Sequence, residues 1–129
     1  MTRLYLDSSA LVKLVMEESE SLSLEVAVLG LALTTSRISV VEVTKAAARS
    51  GPEADPAEIL SLVALLDVDA PVTALAAITG GPALRALDAI HVATAVLLGP
   101  DIESFITYDT RQAEAARAAG LRVIAPGAA

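Results

Sequence analysis

The stretch Leu4-Tyr5-Leu6-Asp7-Ser8-Ser9-Ala10-Leu11-Val12 constrains the fold more than any other. Three apolar residues run straight into one acid, then two hydroxyls, then a second apolar run. An unbroken apolar triplet suits a strand covered on both faces, as in a parallel sheet packed between helices. Ser8 or Ser9 offers an N-cap for a helix beginning Ala10-Leu11-Val12-Lys13-Leu14-Val15. Asp7 then falls at the carboxyl end of the first strand, beside a helix N-terminus, on the edge where open α/β sheets bind ligands. A carboxylate at that point is also common as plain structure, so it becomes informative only when other acids converge on it.

Downstream, strands and helices alternate. The acidic turn Glu17-Glu18-Ser19-Glu20-Ser21 leads into a helix over about 21–29, with acids at the positive end of its dipole and Gly30 ending it. Leu31 to Thr35 reads as a strand, and Ser36 as the cap of a helix through Arg49 that Gly51 closes. Asp55-Pro56-Ala57-Glu58 opens a helix through Leu66. A short strand or turn over 67–70 and a helix over 71–79 follow, before Gly80-Gly81-Pro82 breaks the chain. The longest helix spans about 83–98 and stops at Gly99-Pro100. Ser104-Phe105-Ile106-Thr107 is a strand, Thr110 to Ala119 a helix ended by Gly120, and Arg122-Val123-Ile124 a last strand. The pattern predicts a three-layer α/β sandwich, a central parallel sheet flanked by helices, in one domain over residues 1–129.

Composition narrows the function. The chain is 54% hydrophobic with a mean hydropathy of +0.62, which excludes disorder. It has no cysteine, so disulfides and thiolate metal sites are ruled out and a reducing cytoplasm is unopposed. Asp7 interrupts the first apolar run too soon for a secretory leader. The longest uncharged run, Ala70 to Leu84, holds two prolines and two glycines and falls short of the roughly 20 residues of a membrane span. A soluble cytoplasmic protein is the expectation. The net charge of -7 and a pI near 4.5 argue against a broad basic surface for nucleic acid.

Most of the 16 Asp and Glu residues lie where solvated charges belong, but four do not. Asp7 and Asp109 each follow an apolar strand, so both fall on the carboxyl edge of the sheet. Glu42 sits between Val41 and Val43, and Asp88 between Leu87 and Ala89, inside otherwise apolar helices. Buried carboxylates are costly unless paired with cations. Taken alone, Glu42 is better read as pairing with Lys45 or facing water, and Asp88 as evenly poised between a site and an ion pair with Arg85. Together the four favour a divalent-metal site, and oxygen-only donors suit Mg²⁺ or Mn²⁺.

The pieces Tyr5-Leu6-Asp7-Ser8-Ser9-Ala10-Leu11-Val12-Lys13, Ser36-Arg37-Ile38-Ser39-Val40-Val41-Glu42, Leu84-Arg85-Ala86-Leu87-Asp88-Ala89-Ile90-His91-Val92-Ala93-Thr94-Ala95 and Phe105-Ile106-Thr107-Tyr108-Asp109 occur in one order over nearly the whole chain. In that order they resemble the PIN-domain family, and within it the VapC-type toxins of toxin–antitoxin pairs. The resemblance implies an α/β sandwich and a Mg²⁺- or Mn²⁺-dependent endoribonuclease that arrests translation. It also implies a cognate antitoxin (VapB-like), a homodimer, and a catalytic, metal-binding set of Asp7, Glu42, Asp88 and Asp109. Thr107 and Ser8 become candidates for orienting those carboxylates.

Other residues read more plainly. His91, three residues after Asp88, is better read as packed and hydrogen-bonded than as a ligand. Arg85 is divided between RNA phosphate and an acid, Ser9 belongs to the turn, and Lys13 and Arg37 read as solvated surface. Taking the four acids from the net charge of -7 leaves -3, so RNA contact is expected to be local, with few phosphates held. The scarcity of charge on the helices leaves apolar surface for association, where an antitoxin helix would pack and project a basic side chain at the acids. Two other classes compete. An Asp7-nucleophile phosphatase-like hydrolase usually needs a second Asp two residues on, where Ser9 stands. A catalytically silent binding module would keep the pocket only for a partner.

Overall fold

The computed structural model describes residues 3–128. Its strands are β1 (Arg3–Leu6), β2 (Ala32–Ser36), β3 (Ala64–Leu66), β4 (Ile102–Ile106) and β5 (Val123–Ile124). They form one sheet in the order β3-β2-β1-β4-β5, with every neighbouring pair parallel. The helices are α1 (Ser8–Val15), α2 (Ser21–Val28), α3 (Ile38–Ser50), α4 (Ala57–Leu62), α5 (Ala70–Ala76), α6 (Ala86–Leu98) and α7 (Thr110–Ala118).

The apolar triplet is the central strand, buried on both faces as its composition required: Leu4 is 2% exposed, and Tyr5 and Leu6 are fully buried. Alternation divides it between two cores. Leu4 and Leu6 join Leu11, Leu24, Val43 and Ile106 under α1, α2 and α3. Tyr5 faces the other way, joining Val92, Ala95, Phe105 and Ala116 under α6 and α7. Its ring stacks on Phe105 at 5.1 Å between centroids and 5° between planes. Each such buried side chain contributes roughly 1.5–3 kcal/mol. The layers are therefore helix, sheet, helix.

Strand order reverses at β1. The chain lays β2 and β3 on one side of it, then returns through α5 and α6 to lay β4 and β5 on the other. Connections that diverge from neighbouring strands leave a crevice at the carboxyl edge, between β1 and β4. Asp7 and Asp109 both belong to that crevice.

Several local expectations are corrected. The cap of α1 is Asp7 rather than Ser8 or Ser9: Asp7 keeps an extended backbone (ψ 179°) and its side chain accepts from Ala10 N–H at 3.0 Å. Both serines already lie inside the helix, where a hydroxyl has no first-turn amide to cap. Ser36 ends β2 instead of capping α3, although its hydroxyl still accepts from Ile38 N–H at 3.3 Å. The helix expected to run to Leu66 stops at Leu62, and Ala64-Leu65-Leu66 pairs with β2 as an edge strand. Those residues form helices readily, and pairing with an exposed sheet edge overrides their propensity. The strand or turn expected over 67–70 is instead a connection in which Asp69 caps α5, accepting from Val72 N–H at 3.1 Å. The helix α5 ends at Ala76, short of Thr79. Three residues expected in the longest helix fall outside α6, because Arg85 stays extended. At the far end of α6, Gly99 (φ 60°) takes the left-handed turn that stops it.

Candidate active site

Asp7 is held from several directions at once. It is 2% exposed, and alternation sends it to the Tyr5 side of β1, toward α6. Its Oδ1 accepts from Ser9 Oγ at 2.7 Å and from Ala10 N–H, and its Oδ2 accepts from Thr107 Oγ1. Ser9 Oγ in turn accepts from Tyr108 N–H at 3.0 Å, and Thr107 Oγ1 from Asp109 N–H at 3.1 Å. These bonds stitch the ends of β1 and β4 together through one carboxylate. Burial pushes the Asp7 carboxyl up; His91 and the Ser9, Thr107 and Ala10 donors pull back down. A nucleophilic Asp7 has little open approach with both oxygens engaged. Thr107 thus orients the acid as expected, whereas the serine that does so is Ser9, not Ser8. The signal was the Asp-x-Ser spacing, which sets Ser9 in the first turn of the helix that Asp7 caps.

Asp109 repeats the capping device in the open. It caps α7, accepting from Gln112 N–H at 3.0 Å, and is exposed. Asp88, half-buried in the first turn of α6, lines a cavity of about 360 Å³ with Asp109, Arg85, Tyr108, Thr110 and Arg111. Burial pushes the Asp88 carboxyl up, Asp109 adds to the rise, and so do Asp7 and Glu42, against a lowering from His91. Asp88 therefore feels the charge of all three of the other acids. Among the described residues, no ion pair joins Asp88 to Arg85.

Glu42 pairs neither with Lys45 nor only with water. From α3 its Oε1 lies 2.8 Å from His91 Nε2 on α6. His91 is fully buried, and its Nδ1 lies 2.7 Å from the Tyr5 hydroxyl. Burial pushes the Tyr5 phenol far up, so it remains a donor. Glu42 also lines a groove of about 600 Å³ with Ser8, Val12, Lys45, Arg49 and Tyr108, the last being shared with the Asp88 cavity. Lys13 is engaged rather than solvated: Nζ lies 3.2 Å from Glu18, 3.0 Å from Glu20 and 4.6 Å above the Tyr108 ring. Arg37 is exposed and paired with Asp67.

The donor set fits a hard divalent cation. It is carboxylate oxygen throughout, anionic in excess, and free of thiols. Among the described residues no three acids or histidines stand close enough together to enclose an ion as they are placed. Two carboxylates about 5 Å apart repel by roughly 3 kcal/mol at an effective dielectric near 20. A cation would reverse the sign of that term, and Asp109 and Asp88 hang on exposed or half-buried side chains that can close on it.

A family model described as PIN domain matches residues 4–118. A curated relative, the ribonuclease VapC35 of Mycobacterium tuberculosis, is 42% identical over 134 residues, covering 98% of each chain. Among solved structures, the Mycobacterium tuberculosis VapC20, titled a sarcin–ricin loop cleaving toxin, aligns with a TM-score of 0.69 at 20% identity, over 95% of this chain and 99% of that one. A toxin–antitoxin complex from Klebsiella pneumoniae gives a TM-score of 0.68 at 22% identity, over 84% of this chain and 88% of the other. At those identities the solved structures bear on the fold.

Proposed function

The chain belongs to the PIN-domain family, and on that premise we propose that it is the toxin of a toxin–antitoxin pair, a Mg²⁺- or Mn²⁺-dependent endoribonuclease. The observation that supports the reading is at Asp88, whose carboxyl is raised first by burial and then by the charges of Asp109, Asp7 and Glu42, so that all three reach it at this sheet edge. In this reading those four acids hold the cation. When bound, it supplies a water of lowered pKa and neutralises charge on the scissile phosphodiester. The protein's own part is placement. Ser9, Ala10 and Thr107 fix the Asp7 carboxylate before any ligand arrives, so no orientation is lost on binding. Arg85 and Arg111 flank the cavity that holds Asp88 and Asp109, and set positive charge where RNA phosphates would approach an otherwise acidic chain.

The cognate antitoxin is proposed to lay an amphipathic helix along exposed apolar side chains. Leu22, Val26 and Leu29 follow the turns of α2 and its C-cap, and Val41 and Leu87 line the groove that holds Glu42, where a basic side chain of the antitoxin would meet that acid. A homodimer and a cytoplasmic location complete the proposal. Among the described residues no helix is long and apolar enough to cross a membrane.

The test is Asp7→Asn. Asparagine caps helices as well as aspartate does, so the fold should hold. RNA cleavage in Mg²⁺ or Mn²⁺ should vanish, and unchanged cleavage by the folded variant would refute the site.

A further inference from the structure

A hydrogen-bonded chain, buried up to its last member, runs from the carboxyl end of β2 to Glu42. Ser36 N–H donates to the Tyr5 oxygen at 3.1 Å, Tyr5 meets His91 Nδ1 at 2.7 Å, and His91 Nε2 meets Glu42 Oε1 at 2.8 Å. Donor counting fixes its direction. A carboxylate can only accept, so Nε2 carries the hydrogen that goes to Glu42, and Nδ1 of the neutral ring is left to accept from the Tyr5 hydroxyl. A doubly protonated ring would still donate from Nε2.

This pairing is built rather than incidental. Tyr5 and His91 are fully buried, and the Tyr5 ring is clamped between the Phe105 stack and an edge contact to His91 at 5.8 Å and 76°. Their neighbours Val92, Ala95 and Ala116 would accept apolar residues as well, and polar groups buried there cost stability unless paired. Glu42 also needs outside support more than its companions do. Asp7 and Asp109 are short side chains tied to backbone amides as helix caps, whereas Glu42 is a longer side chain in mid-helix.

We propose that Tyr5 and His91 are positioning residues for Glu42: they tie down Oε1 and so fix where Oε2 is presented to a divalent cation. This rests on the reading of the four acids as a cation site.

The experiment is calorimetric titration of metal-free protein with Mn²⁺. His91→Leu should weaken Mn²⁺ binding by about tenfold or more, the usual effect of removing a group that orients a ligand. His91→Gln, whose amide nitrogen can stand where Nε2 stood, should return to within about threefold of wild type. Tyr5→Phe, which keeps the stacked ring, should show a smaller loss in the same direction and serves should His91→Leu not fold. In a Glu42→Ala background, His91→Leu should add nothing, because its effect runs through the missing carboxylate. Wild-type Mn²⁺ affinity in folded His91→Leu or Tyr5→Phe overturns the proposal, as does an equal loss in the Glu42→Ala background. Those outcomes leave the cation site standing if Asp7→Asn has lost Mn²⁺. Failure of wild type to bind Mn²⁺, or an Asp7→Asn variant that binds it equally well, would overturn the cation site and this inference with it.

Discussion

Asp7 and Asp109 are the same device used twice. Each follows a parallel strand, keeps an extended backbone and caps the next helix through one carboxylate oxygen. They differ in burial. Asp7 is 2% exposed with its second oxygen held by Thr107, whereas Asp109 is exposed. The edge therefore has a fixed half at the end of β1 and an adjustable half around α6 and α7. One acid is set before any ligand arrives, and others can close on it.

The largest stability difference is expected between alanine substitutions at these two caps. Asp7→Ala removes a helix cap, worth about 1 kcal/mol, and strands the half-buried Ser9 and buried Thr107 hydroxyls at about 1–3 kcal/mol. A total loss of about 2–4 kcal/mol should appear in urea unfolding. Asp109→Ala loses an exposed cap alone and should cost about 1 kcal/mol or less. Equal losses would mean that burial does not distinguish the two halves.

A smaller effect of opposite sign is expected at Asp88. Its carboxyl is raised above the ordinary 3.8 by burial and by Asp109, Asp7 and Glu42. The native state thus holds a proton that the unfolded chain has released. That contribution is complete below about pH 3.8 and is lost as pH rises through the raised folded value. At neutral pH the repulsion remains as a deficit, screened because Asp88 is half-buried. Metal-free Asp88→Asn should accordingly melt about 2–4 °C above wild type at pH 7, and added Mn²⁺ should stabilise wild type more than the variant. A lower melting point with an unchanged metal response would make Asp88 a structural acid.

The fixed half was the more legible in sequence. Leu4-Tyr5-Leu6-Asp7 announces a buried strand that ends in an acid, because composition and order alone carry that pattern. The four acids stood out in sequence as charges beside apolar runs, but their burial did not: Asp7 is buried, Glu42 and Asp88 are half-buried, and Asp109 is exposed. Helix and strand boundaries that depend on tertiary pairing were not. Ala64-Leu65-Leu66 has no strand signature and is a strand because the edge of β2 lies beside it. The Glu42–His91 pair joins residues 49 apart, and the Tyr5–His91 bond joins residues 86 apart. No local periodicity encodes such contacts. His91 read as a packed, hydrogen-bonded histidine, which it is, but its partner on α3 became visible only in the fold.

The central claim is that two capping acids and two helix acids form one cation site. Calorimetric titration of Mn²⁺ into wild type and into Asp7→Asn, Glu42→Gln, Asp88→Asn and Asp109→Asn tests it most directly. The account predicts a single class of site in wild type, weakened in all four variants, with Asp7→Asn affected most because its acid is the one already fixed. Wild-type Mn²⁺ affinity in any one of the folded variants would contradict a shared site.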